Sequence, residues 1–183
     1  MSRVLQISMF YEKQNGVPAF ECSEYANRQK DYVVLIPVIN EGTRILNELN
    51  RAKIAHISSS ADIVICDGGS TDGSMEKDKL TALDVNTLLV KKSAGKQGAQ
   101  LRMGFWWALQ RGYKGIITID GNDKDSIEDV PRFIEKIEAG YDLIQGSRFL
   151  KGGQGHKSPF KPIGGCEIAT CANYIADGSA KIY

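Results

Sequence analysis

YVVLIPV (residues 32–38), followed at once by INEG (39–42), is the stretch that decides the fold. An apolar run of this length, closed by residues that favour turns, reads as a strand covered on both faces, as strands are inside a parallel sheet. The same texture returns in ADIVIC (61–66), NTLLV (86–90), KGIITI (114–119) and YDLIQ (141–145). Five strands are therefore expected, the first four mostly buried on both faces. The intervals carry helical spacing. After Glu41, one face holds Ile45, Leu46, Leu49 and Ala52; after Gln97, one face holds Leu101, Phe105, Ala108 and Leu109. Residues 126–140 repeat the pattern with Val130, Ile134 and Ile137, have Pro131 in a first turn and stop at Gly140. A shorter helix is expected after Asp72. Alternation of this kind with short connections describes a doubly wound α/β domain with right-handed crossovers.

Composition agrees with one globular domain. The chain of 183 residues is 42% hydrophobic and 25% charged, and a chain of this size buries roughly 70% of its unfolded surface. Lys and Arg number 23 against 22 Asp and Glu, a net charge of +1, without the basic excess of a nucleic-acid binder. The longest apolar-leaning stretch, IGGCEIATCANYIA (163–176), contains a Glu and falls short of the roughly 20 residues of a membrane span, although it suits a bilayer surface. MSRVLQISMFYEKQ at the start lacks the apolar run of a secretory signal. Cys22, Cys66, Cys166 and Cys171 have neither metal spacing nor a disulfide framework; Cys166 and Cys171 read as a half-buried helix face. The expectation is a cytoplasmic chain with reduced thiols, at most peripheral at the cytoplasmic membrane face. Residues 1–30 read as an extension without a legible fold, 31–150 as the core, and 151–183 as a mobile Gly/Pro/Lys-rich loop leading into a further region. Trp106 and Trp107 are expected to pack a helix, Trp107 at its edge.

In open α/β sheets, ligands bind beyond the carboxyl ends of the strands. Those ends carry PVINE (37–41), DGGSTDG (67–73), GKQG (95–98), DGNDKD (120–125) and GSRF (146–149). Asp67 with two following glycines permits a tight turn and a close approach to a flat ligand, and its carboxylate can accept the N–H of a uracil or guanine base. The same residues also read as a turn, with Thr71 or Asp72 capping the next helix. The oxygen-rich loop from Asp120 suits a hard divalent cation bridging a diphosphate, and equally suits a solvated helix entry. GKQG opens a helix and can face an anion, but it lacks the spacing of a P-loop. Lys96, Arg102 and Arg148 are candidates to neutralise phosphate charge. His56 and His156 have no Ser or Cys motif beside them, which speaks against a triad hydrolase.

Taken in order, VVLIPVINEGTRI, DIVICDGGSTDGS, GKQGAQLRMGF, the 120–122 loop and EDVPRFIEKIEAGYDLIQGSRF resemble the core of a glycosyltransferase family 2 enzyme with the GT-A fold. Within that family the chain is most similar to the dolichol-phosphate mannosyltransferase and polyprenol-phosphate glycosyltransferase branch. The resemblance covers residues 31–150. It implies a nucleotide-sugar donor, a divalent metal such as Mg²⁺ or Mn²⁺, and inverting transfer to an acceptor, a polyprenol phosphate in that branch. By position, Pro37, Ile39 and Glu41 would line the nucleoside pocket, Asp67 would bind the base with Ile65 and Cys66 beside it, and Lys96 would assist at the diphosphate. Asp120, Gly121 and Asn122 stand where the family has its DxD motif, with Asp120 and Asn122 as metal ligands, and Arg148 stands at the family's basic position.

Three departures follow. Asn122 in place of the second Asp removes a charge, which weakens the metal unless Asp123 contributes. Ile39 removes a base-stacking surface. The chain also reaches only part of the family's acceptor region, so it is expected to be a fragment or to have a small acceptor side. Two rival readings stand beside this one. A sugar-nucleotide nucleotidyltransferase would place a basic Gly-rich signature after strand one, where this chain has PVINEG. A non-catalytic donor-binding module would tolerate both Asn122 and the short C-terminal part.

Overall fold

The computed structural model describes residues 7–13 and 16–146. The chain divides into two units, residues 1–134 and 135–183. The first unit is built on a six-stranded sheet of β1 (Ile7–Tyr11), β2 (Phe20–Glu24), β3 (Tyr32–Val38), β4 (Ala61–Asp67), β5 (Val85–Lys91) and β6 (Gly115–Thr118). Its helices are α1 (Thr43–Ile54), α2 (Lys77–Ala82) and α3 (Gln97–Gln110), and α4 (Val130–Glu138) runs into the second unit. The strand order is β1-β2-β5-β4-β3-β6. β5, β4, β3 and β6 are parallel; β1 and β2 add antiparallel pairs on the β5 side. The chain winds from β3 through β4 to β5, then returns to place β6 on the other side of β3. That reversal is the topological switch point, where open sheets bind ligands.

The mostly parallel α/β architecture agrees with the sequence, and four details differ from it. Residues 141–145 form no strand, since Asp142 and Gln145 are exposed and leave too short an apolar run to cover both faces. β6 is less covered than the other parallel strands: paired with β3, it carries an exposed Thr118 and half-buried Gly115 and Ile116. Part of the stretch read as an extension continues the sheet as β1 and β2, and Phe20 and Cys22 are fully buried in the core with Leu35, Leu89, Met103 and Trp107. Burial pushes the Cys22 thiol up to about 12, with the Glu24 carboxylate acting in the same direction, so it is an inert core group. Finally, α3 buries a different face. Ala99, Gln100, Met103, Gly104, Trp107 and Ala108 are inside, while Leu109 is 53% exposed. Trp107 is thus central, and Trp106 is the half-buried one, set edge-on to Tyr11 and Phe20.

Gly104 explains that rotation. A Cβ there would lie 2.6 Å from Cys66 Sγ and 3.0 Å from Leu35 Cδ1, so the helix presses its smallest residue onto β3 and β4. Gly104→Ala is expected to cost about 1–3 kcal/mol through overpacking, despite alanine's better helix propensity. The check is a urea midpoint that falls at an unchanged m-value.

In the second unit, the described residues are the last turn of α4 and the segment to residue 146. Gly140 at φ 85° ends the helix as expected, with the Tyr141 N–H returning to the Lys136 carbonyl. Arg148, the 151–161 loop and the Cys166–Cys171 pair lie outside the described residues.

Candidate functional site

Two loops leave the carboxyl ends of β3 and β4 and are stitched together by side chains. Asp67 closes β4 at 2% exposure, and its carboxylate accepts the N–H groups of Gly69 (3.1 Å) and Ser70 (2.9 Å) and the Ser70 hydroxyl (2.6 Å). Ser70 Oγ in turn accepts the Asn40 N–H at 2.9 Å. Asn40 adopts the left-handed φ of 52° that asparagine tolerates, and its Oδ1 accepts the Thr71 N–H at 2.8 Å. Farther along, Asp72 accepts Gly42 N–H (2.8 Å), Ser74 N–H (3.0 Å) and the Ser74 hydroxyl (2.5 Å). The Ser74 bonds, with Gly42 behind them, hold the Asp72 carboxyl below the usual carboxylate range. The capping role read for Thr71 or Asp72 is therefore not taken: α2 begins only at Lys77, with Glu76 at its cap.

Below these loops lies a buried amide. Gln100, 3% exposed, donates Nε2 to the carbonyls of Val38 (2.6 Å) and Cys66 (2.9 Å), tying together the carboxyl-terminal ends of adjacent strands. Above it, Gly68 donates its N–H to Val38 O at 2.8 Å. Ile39, 55% exposed, packs so near that a Cβ on Gly68 would lie 3.2 Å from its side chain. An exposed apolar side chain beside two glycines makes a shelf without side-chain obstruction.

The loop after β6 meets the same strand end from the other side. A Cβ on Gly121 would stand 2.9 Å from Val38 Cγ2 and 3.2 Å from the Pro37 carbonyl, so only glycine lets the 120–122 turn lie there. Asp120 is exposed, and its Oδ1 accepts Gln97 Nε2 at 2.6 Å. That bond joins the 95–98 turn to the Asp120 loop and puts exposed Lys96, at the cap of α3, on this part of the rim. Asn122 Oδ1 accepts the Lys124 N–H at 3.2 Å. The Asp123 carboxylate lies 3.4 Å from Arg51 Nη1 and its N–H points to Glu48, so it is engaged with α1.

Among the described residues no three His, Cys, Asp or Glu side chains form a metal-holding group. Asp120 with the Asn122 amide oxygen still suits Mg²⁺ or Mn²⁺, because such ions commonly take one or two protein carboxylates and fill the rest with water and substrate phosphates.

Of the sequence-predicted residues, Pro37, Ile39, Glu41 and Asp67 thus fall at the β3 and β4 ends, and Lys96, Asp120, Gly121 and Asn122 on the β6 side. Val38 is where the two halves meet. Pro37 is buried and backs the shelf, Glu41 pairs with Arg44 at 2.6 Å, and Ile65 at 0% exposure is core, unable to face a ligand.

Glu48 and Arg51 were not legible as site residues. Glu48 is fully buried in the apolar stripe of α1, with Oε2 accepting the Asp123 N–H at 3.1 Å. Burial raises its carboxyl to about 7; Asp123 and Asp125 add to the rise, against the Asp123 N–H and Arg51. The folded state thus holds a proton that an unfolded glutamate with its ordinary value of 4.5 releases. Stability from this group is therefore lost as pH rises from about 4.5 to about 7 and is flat above and below, a change on the order of 3 kcal/mol. Glu48→Gln should remove that slope, seen as pH-dependent urea midpoints that diverge from wild type across this window.

No family model matches the chain. Among curated proteins it is 30% identical over 134 residues to a polyprenol monophosphomannose synthase of Mycolicibacterium smegmatis, covering 72% of this chain and 50% of that one. It is 30% identical over 125 residues to an undecaprenyl-phosphate mannosyltransferase of Micrococcus luteus, covering 67% and 50%. It is 27% identical over 132 residues to a dolichol-phosphate mannosyltransferase of Pyrococcus furiosus, covering 69% and 36%. The chain spans half or less of the length of these relatives.

Proposed function

We propose that this chain, a relative of the polyprenol-phosphate glycosyltransferases of family 2, binds a nucleotide sugar at the switch point and transfers the sugar to a polyprenol phosphate. One observation carries the reading: the Asp67 loops, the shelf at Ile39 and the Asp120 turn all meet at Val38, the carboxyl end of the strand beside the switch point.

In this reading the nucleoside lies on the shelf of Ile39, Gly68 and Gly69. Asp67, its oxygens committed to Gly69 and Ser70, shapes the base pocket chiefly by holding the two loops together. Asp120 and Asn122 would hold Mg²⁺ or Mn²⁺, which supplies positive charge against the donor diphosphate. Lys96 on the rim, and Arg148 by its place in the sequence, add fixed charge where the departing nucleoside diphosphate becomes more negative. The acceptor phosphate oxygen forms the new bond to the anomeric carbon as the sugar–diphosphate bond breaks, inverting that carbon. The acceptor oxygen is already anionic near neutral pH, so no side chain needs to remove a proton.

No helix among the described residues is long and apolar enough to cross a membrane, and we place the chain peripherally at the membrane that carries its acceptor. The second reading, a donor-binding module without transfer, is favoured by Asn122 alone. The test incubates the chain with radiolabelled GDP-mannose or UDP-glucose, Mn²⁺ and undecaprenyl phosphate in detergent. Label moving into the lipid fraction supports the transferase. Donor retained on the protein with no lipid label supports the module, and neither binding nor transfer defeats both.

A further inference from the structure

We infer that Glu48 and Arg51 of α1 are positioning residues for the 120–122 turn. Glu48 occupies a place in the stripe of Ile45, Leu49 and Ala52 where an apolar residue would cost nothing, yet it is a fully buried carboxylate. What it touches explains its presence. Its Oε2 accepts the N–H of Asp123, the residue after Asn122, which is held at a left-handed φ of 61°. One turn further along the same helix, Arg51 donates to the Asp125 carbonyl at 2.5 Å and faces Asp123 Oδ1 at 3.4 Å and Glu128 Oε1 at 3.2 Å. The acidic loop is thereby attached to α1 at three places, directly after the turn that presents Asp120 and Asn122.

The opposite side of the turn is also held. Gln97 donates to Asp120 Oδ1, and Gly121 packs on Val38. The turn therefore sits between α3 and β3 on one side and α1 on the other. α1 also reaches the other half of the site, because Gly42 at its N-cap donates to Asp72 in the loop after β4. One rigid helix thus spaces the two loops that would hold the two ends of a nucleoside diphosphate. Loss of the Glu48 contact frees the Asp123 peptide and lets the 120–122 turn drift from that spacing.

The consequence for binding rests on the donor reading above; the anchoring itself does not. The test compares wild type, Glu48→Gln, Glu48→Leu and Arg51→Met by amide hydrogen exchange of the 119–126 segment, and by calorimetric titration of GDP and UDP in Mn²⁺. Glutamine keeps an acceptor for the Asp123 N–H and should stay within about twofold of wild type in both measurements. Leucine should speed exchange of the segment about tenfold and weaken Mn²⁺-dependent binding by a similar factor, the usual range for residues that orient a metal-bearing group. Arg51→Met should shift both in the same direction, and it decides the matter if the leucine variant does not fold. Exchange within about twofold of wild type in folded Glu48→Leu, or in Arg51→Met, overturns the anchoring. Faster exchange with unchanged nucleotide affinity overturns the positioning role. Wild-type protein that binds neither nucleotide removes the donor reading instead, and the exchange comparison still decides the anchor.

Discussion

Asp120→Ala is expected to lower sugar transfer at least about 100-fold and to abolish the Mn²⁺ dependence of donor binding while leaving the fold intact. The size follows from the role. Changing residues that only orient a metal's ligands costs about 10–100-fold, and removing one fixed donor to a developing charge costs a comparable or larger factor. Asn122, neutral, cannot replace the lost carboxylate, and Asp123 is engaged by Arg51 and Glu48. The fold should survive because Asp120 is exposed and its side chain accepts an exposed hydrogen bond from Gln97, so thermal stability should move by no more than about 0.5 kcal/mol. Calorimetry with GDP or UDP, with and without Mn²⁺, supplies the check.

Asp67→Ala should have the largest effect on stability of any substitution at the rim. Three donors converge on this buried carboxylate, and hydrogen bonds to charged groups are worth about 1.5–3 kcal/mol each before compensation. Removing it leaves the Gly69 and Ser70 N–H groups without their acceptor and releases the Ser70 hydroxyl, which orients the Asn40 N–H. A loss of about 3 kcal/mol and a melting temperature lower by about 6–12 °C are expected. Donor affinity should fall with it, because the two loops on the nucleoside side lose their common tie. Ser70→Ala, which removes only the hydroxyl link, should have a smaller effect in the same direction on both.

The strands that frame the site are legible because β3, β4 and β5 are long apolar runs, and burial on both faces leaves no polar alternation to confuse. β2 is harder to read: FECSE has five residues with buried, exposed and half-buried positions mixed, a pattern too short to mark a strand. YDLIQ misleads for the opposite reason, since two or three apolar residues imitate a strand that has no second face to cover. The rim loops are legible as places because turn residues and carboxylates follow each strand. Their wiring is not. The bond from Gln97 to Asp120 spans 23 residues and that from Asp123 to Glu48 spans 75, and no local periodicity encodes a partner at that distance. One sign was available: Glu48 interrupts the apolar face of α1, and a carboxylate in such a stripe must find a donor.

Binding of a nucleoside diphosphate at the switch-point rim is read out by amide chemical-shift mapping with GDP or UDP and Mg²⁺. Perturbations are expected to gather at residues 38–42, 67–72, 95–98 and 120–123. Perturbations gathered instead around Arg28 to Asp31, which line a recess before β3 begins, or none at saturating nucleotide, would contradict it.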